Sequence, residues 1–188
     1  HHDGLDGLVQ ALGCARSVDG VLSPTVAGVL LFGTRLSLRR LFPAARIDYV
    51  RIPGTEWVPD PNRRYESIEV REPLLVAFRR IYNAIVDDLL KSFALDPGSP
   101  ERREQLALPE SAVREALVNA LTHRDYRVAS PVLVIRYQDR IEVRNPGYSL
   151  VEDDQLGQPG SFPRNARIAD VFREMRLAEN KGTGVAAI

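Results

Sequence analysis

Apolar residues recur with the 3.6-residue period of helices in five segments of this chain. The longest repeat starts at Pro73 and ends before the Asp96-Pro97-Gly98 break, and its apolar positions define one helix face. That face consists of Leu74, Phe78, Ile81, Ile85 and Leu89. The shorter helical patterns cover residues 5–12, 23–33, 109–121 and 166–176. In the second of them we expect Ser23 as the N-cap and Pro24 as the first helical residue.

Alternating apolar and polar residues predict strands between these helices. Residues 46–52 alternate along their length, and residues 132–137 and 141–144 flank a turn short enough for an antiparallel pair. A shorter strand is expected at residues 67–70. The pattern predicts an α/β fold.

The composition excludes several classes of protein. The 25 basic and 25 acidic residues give a net charge of zero, so no whole-molecule field attracts nucleic acid or acidic lipid. Only Lys91 and Lys181 are lysines, so the other 23 basic residues are arginines. Arginine is suited to binding phosphate, but genome composition explains the excess equally well. The longest uncharged apolar run, 26–32, is far shorter than the roughly 20 residues of a membrane helix. The single Cys14 allows no internal disulfide, so we expect a cytoplasmic protein without a membrane partner.

The helix at 109–121 carries the first candidate site. At about 100° per residue, Glu115, Asn119 and Thr122 fall on one side of it. The opposite side is apolar and consists of Val113, Leu117 and Ala120. A carboxylate could deprotonate water, and an amide oxygen could help to hold Mg²⁺, which prefers oxygen ligands. An ordinary solvated helix face explains the same spacing.

Two glycine motifs follow the helix. Asn145-Pro146-Gly147 comes after a predicted strand, where a tight turn could bring the backbone against a planar base. Gly182-Thr183-Gly184 could let backbone N–H groups approach phosphate oxygens. Each motif alone is equally typical of an ordinary turn.

Four blocks in this order resemble the histidine-kinase-type ATPase domain of RecG-related transcriptional regulators. They cover residues 114–126, 139–147, 163–169 and 179–185. That domain is part of the wider gyrase, Hsp90, histidine kinase and MutL group. Residues 22–33 and 51–54 resemble the segment that joins it to a preceding Schlafen/AlbA-type DNA-binding domain.

The resemblance implies a domain organisation. Residues 61–188 would form a two-layer α/β sandwich of the histidine-kinase/Hsp90 ATPase type, truncated at its C-terminus. A mixed sheet would form one layer, and helices including 73–95 and 109–122 would form the other. Residues 1–60 would be a small α/β segment, the tail of or linker from a missing N-terminal domain. Because the chain begins without Met, we expect it to be a fragment or to carry a tag remnant.

The resemblance also implies roles for individual residues. Glu115 matches the general base, and Asn119 matches the magnesium ligand. Asn145 lies near the aspartate position of the Asp-x-Gly-x-Gly box, where its amide can accept a hydrogen bond from adenine but brings no charge. The other expected nucleotide-binding residues are Gly147, Arg164, Gly182, Thr183 and Gly184, with 148–164 as the nucleotide lid.

The block His123-Arg124-Asp125-Tyr126 is characteristic of the family, but its roles do not follow from the sequence. His123 is either a structural residue at the helix end or a catalytic one. Arg124 and Arg164 could reach phosphate or pair with Asp125 or Asp139. The arginine pairs at 39–40, 63–64 and 102–103 either contact DNA or are ordinary surface residues.

The resulting hypothesis is an ATP- and magnesium-binding domain of a DNA-binding regulator, with ATP hydrolysis as a separate question. DNA would be contacted through regions outside this fragment, and a homodimer is one alternative for its assembly. The alternative function is a non-catalytic interaction or DNA-binding scaffold with a degenerate site, favoured by the missing Asp-x-Gly-x-Gly box. Helicase activity is disfavoured because the chain lacks a Gly-x-x-x-x-Gly-Lys-Ser/Thr loop.

Overall fold

The computed structural model describes residues 4–57, 66–93, 108–150 and 163–177. Within these ranges pairs of strands are separated by pairs of helices, with one further helix at each end. The elements are α1 (Leu5–Ala11), β1 (Ala15–Val18), β2 (Val21–Pro24), α2 (Val26–Phe32), α3 (Arg35–Leu41), β3 (Ile47–Arg51), β4 (Glu66–Val70), α4 (Leu74–Phe93), α5 (Glu110–His123), β5 (Val132–Arg136), β6 (Ile141–Arg144) and α6 (Ala166–Glu174).

A four-stranded mixed sheet with the order β4-β3-β5-β6 forms the centre of the fold. β3 pairs in parallel with β5, where Tyr49 lies opposite Val134, and the two outer pairings are antiparallel. The expected mixed α/β fold and the antiparallel β5–β6 pair are therefore confirmed. β3, which lies in the expected segment 1–60, is a central strand beside β5, and the division into domains stays a prediction.

The main hydrophobic core lies between the helices and one face of this sheet. Because side chains alternate along a strand, Ile47 and Tyr49 of β3 and Val132 and Val134 of β5 point into the same core. On the helical side the Phe78 ring of α4 meets the Phe172 ring of α6 edge to face, with centroids 5.6 Å apart. The other face of the sheet carries a smaller cluster, formed by Val50, Ile52, Ile135 and Tyr137.

The predicted long helix is confirmed as α4. All five residues of its expected apolar face are at most 5% exposed, as the helical spacing requires. The helices expected at 5–12, 109–121 and 166–176 are confirmed as α1, α5 and α6. Among the helices that the structure describes, none is long and apolar enough to cross a membrane.

The expected start of the second helix was wrong. Ser23 and Pro24 end strand β2, and the N-cap of α2 is Thr25, whose hydroxyl accepts the Gly28 N–H at 3.2 Å. β2 pairs with β1 in a hairpin that the hydrophobic pattern did not predict. Its turn, Asp19-Gly20, has positive φ at both residues, which matches the right-handed twist of the two strands.

Gly28 brings α2 close to the residue before β1. A Cβ at Gly28 would lie 1.9 Å from the Cys14 carbonyl oxygen, so one of the two backbones would have to move. We expect Gly28→Ala to lower the free energy of unfolding by about 1–3 kcal/mol, the usual cost of overpacking, as measured by chemical denaturation. Gly54→Ala is the matched control, because a Cβ there meets no atom within 4 Å. Equal stability of the two variants would contradict the close approach.

Candidate functional site

Helix α5 places Glu115 and Asn119 on one face, one turn apart. Both side chains are half-buried, and the Asn119 Nδ2 group donates a hydrogen bond to Glu115 Oε1 at 3.2 Å. The apolar face opposite them is buried, which fixes the rotation of the helix. Thr122, expected on the same side as this pair, is only 3% exposed and donates its hydroxyl to the Val118 carbonyl.

The hydrogen bond between Asn119 and Glu115 also orients the amide. With Nδ2 directed to the carboxylate, Oδ1 of Asn119 is the atom left to bind another group. A carboxylate and an amide oxygen are both ligands that Mg²⁺ accepts, usually together with water and phosphate. The donor set of this pair therefore fits the magnesium expected from the sequence.

Asp125, just beyond the C-terminus of α5, holds the loop that follows β6. Its backbone N–H donates to the Pro146 carbonyl at 3.1 Å. The next residue, Gly147, has a φ of 122°, and a Cβ there would lie 3.1 Å from the Asp125 Cβ. Glycine is required by both the backbone angle and the close approach.

The Asp125 carboxylate is held by two arginines. It accepts hydrogen bonds from Arg127 Nε at 3.0 Å and Arg127 Nη2 at 2.8 Å, as well as from the Arg127 backbone N–H. Arg164 Nη1 lies 3.7 Å from Asp125 Oδ2. The hydrogen bonds from Arg127, with the charge of Arg164 adding to them, hold the pKa of Asp125 well below its usual range.

Arg164 links α5 to the loop after β6. Its Nε donates to the His123 carbonyl at 3.3 Å, and its Nη2 donates to the Tyr148 carbonyl at 2.7 Å. The guanidinium also lies over the Tyr148 ring, 4.6 Å from the ring centroid. The sequence left two roles open for Arg164, contact with phosphate or pairing with a carboxylate. The structure shows its guanidinium beside the Asp125 carboxylate.

Arg124 lies in the interior, away from the roles considered for it. It is 1% exposed and donates hydrogen bonds to the carbonyls of Ala44, Arg46 and Ser130 at 2.7, 3.3 and 2.6 Å. Burial lowers the pKa of its guanidinium. Its two terminal nitrogens are therefore occupied by backbone acceptors, and within the described residues the side chain pairs with neither of the two carboxylates considered for it.

His123 is the last residue of α5 and is half-buried. Burial, and then the nearby charge of Arg164, lower the pKa of its imidazole. Its backbone carbonyl, rather than its ring, makes the contact with Arg164.

The end of α5, the loop after β6 and the start of α6 meet in a contact region that we call the junction. Three residues that the sequence did not single out complete it. Arg127 pairs with Asp125, Tyr148 receives Arg164, and the Asn165 Nδ2 group donates to the Thr122 carbonyl at 3.0 Å and the Arg124 carbonyl at 2.8 Å. The Asp-x-Arg spacing at 125–127 and the position of Asn165 beside Arg164 were the available signals.

The remaining predicted site residues are placed only in part. Asn145 is exposed directly after β6. Gly182, Thr183 and Gly184 lie outside the described residues. Within the described ranges no group of three or more His, Cys, Asp or Glu side chains is arranged to hold a metal.

Comparison with sequence families supports an ATPase-like domain at the C-terminal end of the chain. Residues 129–188 match the sequence model of a family described as "Putative ATP-dependent DNA helicase recG C-terminal". The expected RecG-related, ATPase-like character is therefore confirmed for this part. No curated protein matches the chain significantly.

Comparison with solved structures shows a related fold. The chain is similar to the crystal structure of the DIP2311 protein from Corynebacterium diphtheriae, with a TM-score of 0.67 and 19% sequence identity. The similarity covers 95% of this chain and 34% of that one, so the chain spans about a third of the length of that protein.

The low pKa of Asp125 makes this junction sensitive to acid. Its folded-state pKa lies below the unfolded value of about 4, so the carboxylate stabilises the fold above that pH. The stabilisation is lost as the pH falls below about 4 towards the folded-state pKa. We therefore expect the urea midpoint to fall less steeply with acidification in Asp125→Asn than in the wild type.

The measurement is a series of urea denaturation curves from about pH 6 to pH 3, across the unfolded pKa. Asp139→Asn is the control, because its carboxylate is 52% exposed and lies beside Arg140. The same pH slope in Asp125→Asn and wild type would show that the junction does not stabilise the fold.

Proposed function

We propose that this chain contains a magnesium-dependent ATP-binding site of the histidine-kinase/Hsp90 type. The observation that carries the proposal is the Glu115–Asn119 pair on α5, whose hydrogen bond leaves the Asn119 amide oxygen available. The family match over residues 129–188 supports the same activity, because it begins just after this helix and includes the loop held by Asp125.

In this proposal Glu115 and Asn119 have different tasks. Asn119 Oδ1 would ligate the magnesium that accompanies the nucleotide, and Glu115 would accept a proton from the attacking water. The bound metal would supply charge neutralisation at the phosphate oxygens. Asn119 Nδ2 holds the Glu115 carboxylate in place, so that each residue orients the other.

The loop after β6 would bind the base end of the nucleotide. Gly147 lets the backbone pass close to Asp125, and the exposed Asn145 offers an amide to adenine. Arg164 would contact phosphate, or it would hold the first residue of the lid, Tyr148, in place. Gly182, Thr183 and Gly184 would approach the phosphates through their backbone N–H groups.

For the whole protein we propose a cytoplasmic regulator of nucleic-acid transactions that contacts DNA through parts outside this chain. The second candidate is a non-catalytic scaffold with a degenerate nucleotide site, favoured by Asn145 at the position of an adenine-binding aspartate.

Magnesium dependence tests the role of Asn119. Titration calorimetry of the chain with ATP should give saturable binding that Mg²⁺ strengthens, and Asn119→Ala should abolish the gain from Mg²⁺. Asn83→Ala is the control, since Asn83 is an exposed asparagine on α4. Absence of ATP binding by the wild type would reject the proposed site, and an undiminished magnesium effect in Asn119→Ala would reject the metal role.

Hydrolysis is tested separately with Glu115→Gln, which keeps an oxygen to accept the Asn119 hydrogen bond. Removing a general base lowers turnover by about 10²- to 10⁴-fold, so we expect that loss in steady-state phosphate release with ATP affinity retained. Glu110→Gln, on the same helix, should leave turnover unchanged. Equal turnover in Glu115→Gln and wild type would exclude Glu115 as the base, and binding without wild-type turnover would favour the scaffold.

A further inference from the structure

An arginine-lined cleft shares no lining residue with the candidate nucleotide site. It has a volume of about 410 Å³ and is formed by α3, the end of β4 and the first half of α4. The charged residues lining it are Arg35, Arg39, Glu69, Arg71, Glu72 and Arg80. Four arginines face two glutamates, so the cleft has an excess of two positive charges in a chain whose net charge is zero.

Glu72 holds the two helices that form the walls of the cleft. Its carboxylate is 7% exposed and pairs with Arg35 of α3 and, at 3.3 Å, with Arg80 of α4. A buried carboxylate needs such partners, because an unpaired buried charge is costly. The two guanidinium groups are thereby fixed, although they remain largely exposed on their outer sides.

The other two arginines differ in how far their guanidinium groups are engaged. Arg71 donates to the Pro43 carbonyl and to Glu69, but its buried Nε finds no acceptor among the described residues. Arg39, one turn after Arg35 on α3, is exposed and makes no hydrogen bond or ion pair with the part of the chain that the structure describes. The exposed guanidinium of Arg39 could donate to an anion in the cleft, whereas the Arg71 Nε atom is buried and out of reach of such an anion.

We propose that this cleft binds a small phosphate-bearing anion. Its volume falls within the range of small-molecule sites, and the excess of two positive charges matches a phosphate dianion. Guanidinium groups match phosphate oxygens with paired hydrogen bonds. A DNA backbone would instead need a basic surface that extends well beyond one cleft, because its affinity depends on contacts with many phosphates.

The test is calorimetric titration of the chain with inorganic pyrophosphate. We expect saturable binding that Arg39→Gln weakens by about tenfold, as expected for one lost charge-assisted contact. Arg40→Gln is the matched control, because Arg40 is the next residue of α3, is also exposed, and does not line the cleft. Both variants change exposed side chains, and their thermal transitions should match that of the wild type.

Three results would overturn the proposal. The first is no saturable binding of pyrophosphate, and the second is an equal effect of Arg39→Gln and Arg40→Gln. The third is loss of pyrophosphate binding in Asn119→Ala, which would place the anion in the nucleotide site. A duplex oligonucleotide that binds with the same Arg39 dependence while pyrophosphate does not would identify the cleft as part of a nucleic-acid surface instead.

Discussion

The buried guanidinium of Arg124 fixes the point where the central strands begin and α5 ends. It donates to the carbonyls of Ala44 and Arg46, just before β3, and of Ser130, just before β5. The Arg46 carbonyl also accepts the N–H of Val132, where the parallel β3–β5 pair starts. Because a charge buried to this extent is costly without such acceptors, the strand starts and the helix end cannot move independently.

The position of the candidate site follows from that constraint. Asp125 is the next residue along the chain, so anchoring Arg124 also sets where Asp125 meets the Pro146 carbonyl and Gly147. Asn119 lies about 6 Å along the helix axis from His123, and Glu115 about 12 Å. Helix α5 therefore sets how far the proposed general base and metal ligand lie from the loop after β6. The end of this helix is held in the core.

Local patterns in the sequence predicted the long elements, but not the contacts between them. The repeat in α4 and the Glu115–Asn119 spacing on α5 follow from helical geometry alone. The β1–β2 hairpin was missed because its strands are mostly exposed and show no buried alternation, and α3 because Leu38 is its only fully buried residue. Contacts such as Arg164 with Tyr148 depend on chain folding between distant positions, about which periodicity carries no information.

The site joins two parts of the chain that the family comparison separates. The match begins at residue 129, after both Glu115 and Asn119. The last carbonyls of a helix lack partners within it, and here residues of the matched segment supply them. Asn165 donates to the Thr122 carbonyl and Arg164 to that of His123. These hydrogen bonds fix the start of α6 against the end of α5, so α6, which lies in the matched segment, and the helix with the proposed catalytic pair form one structural unit.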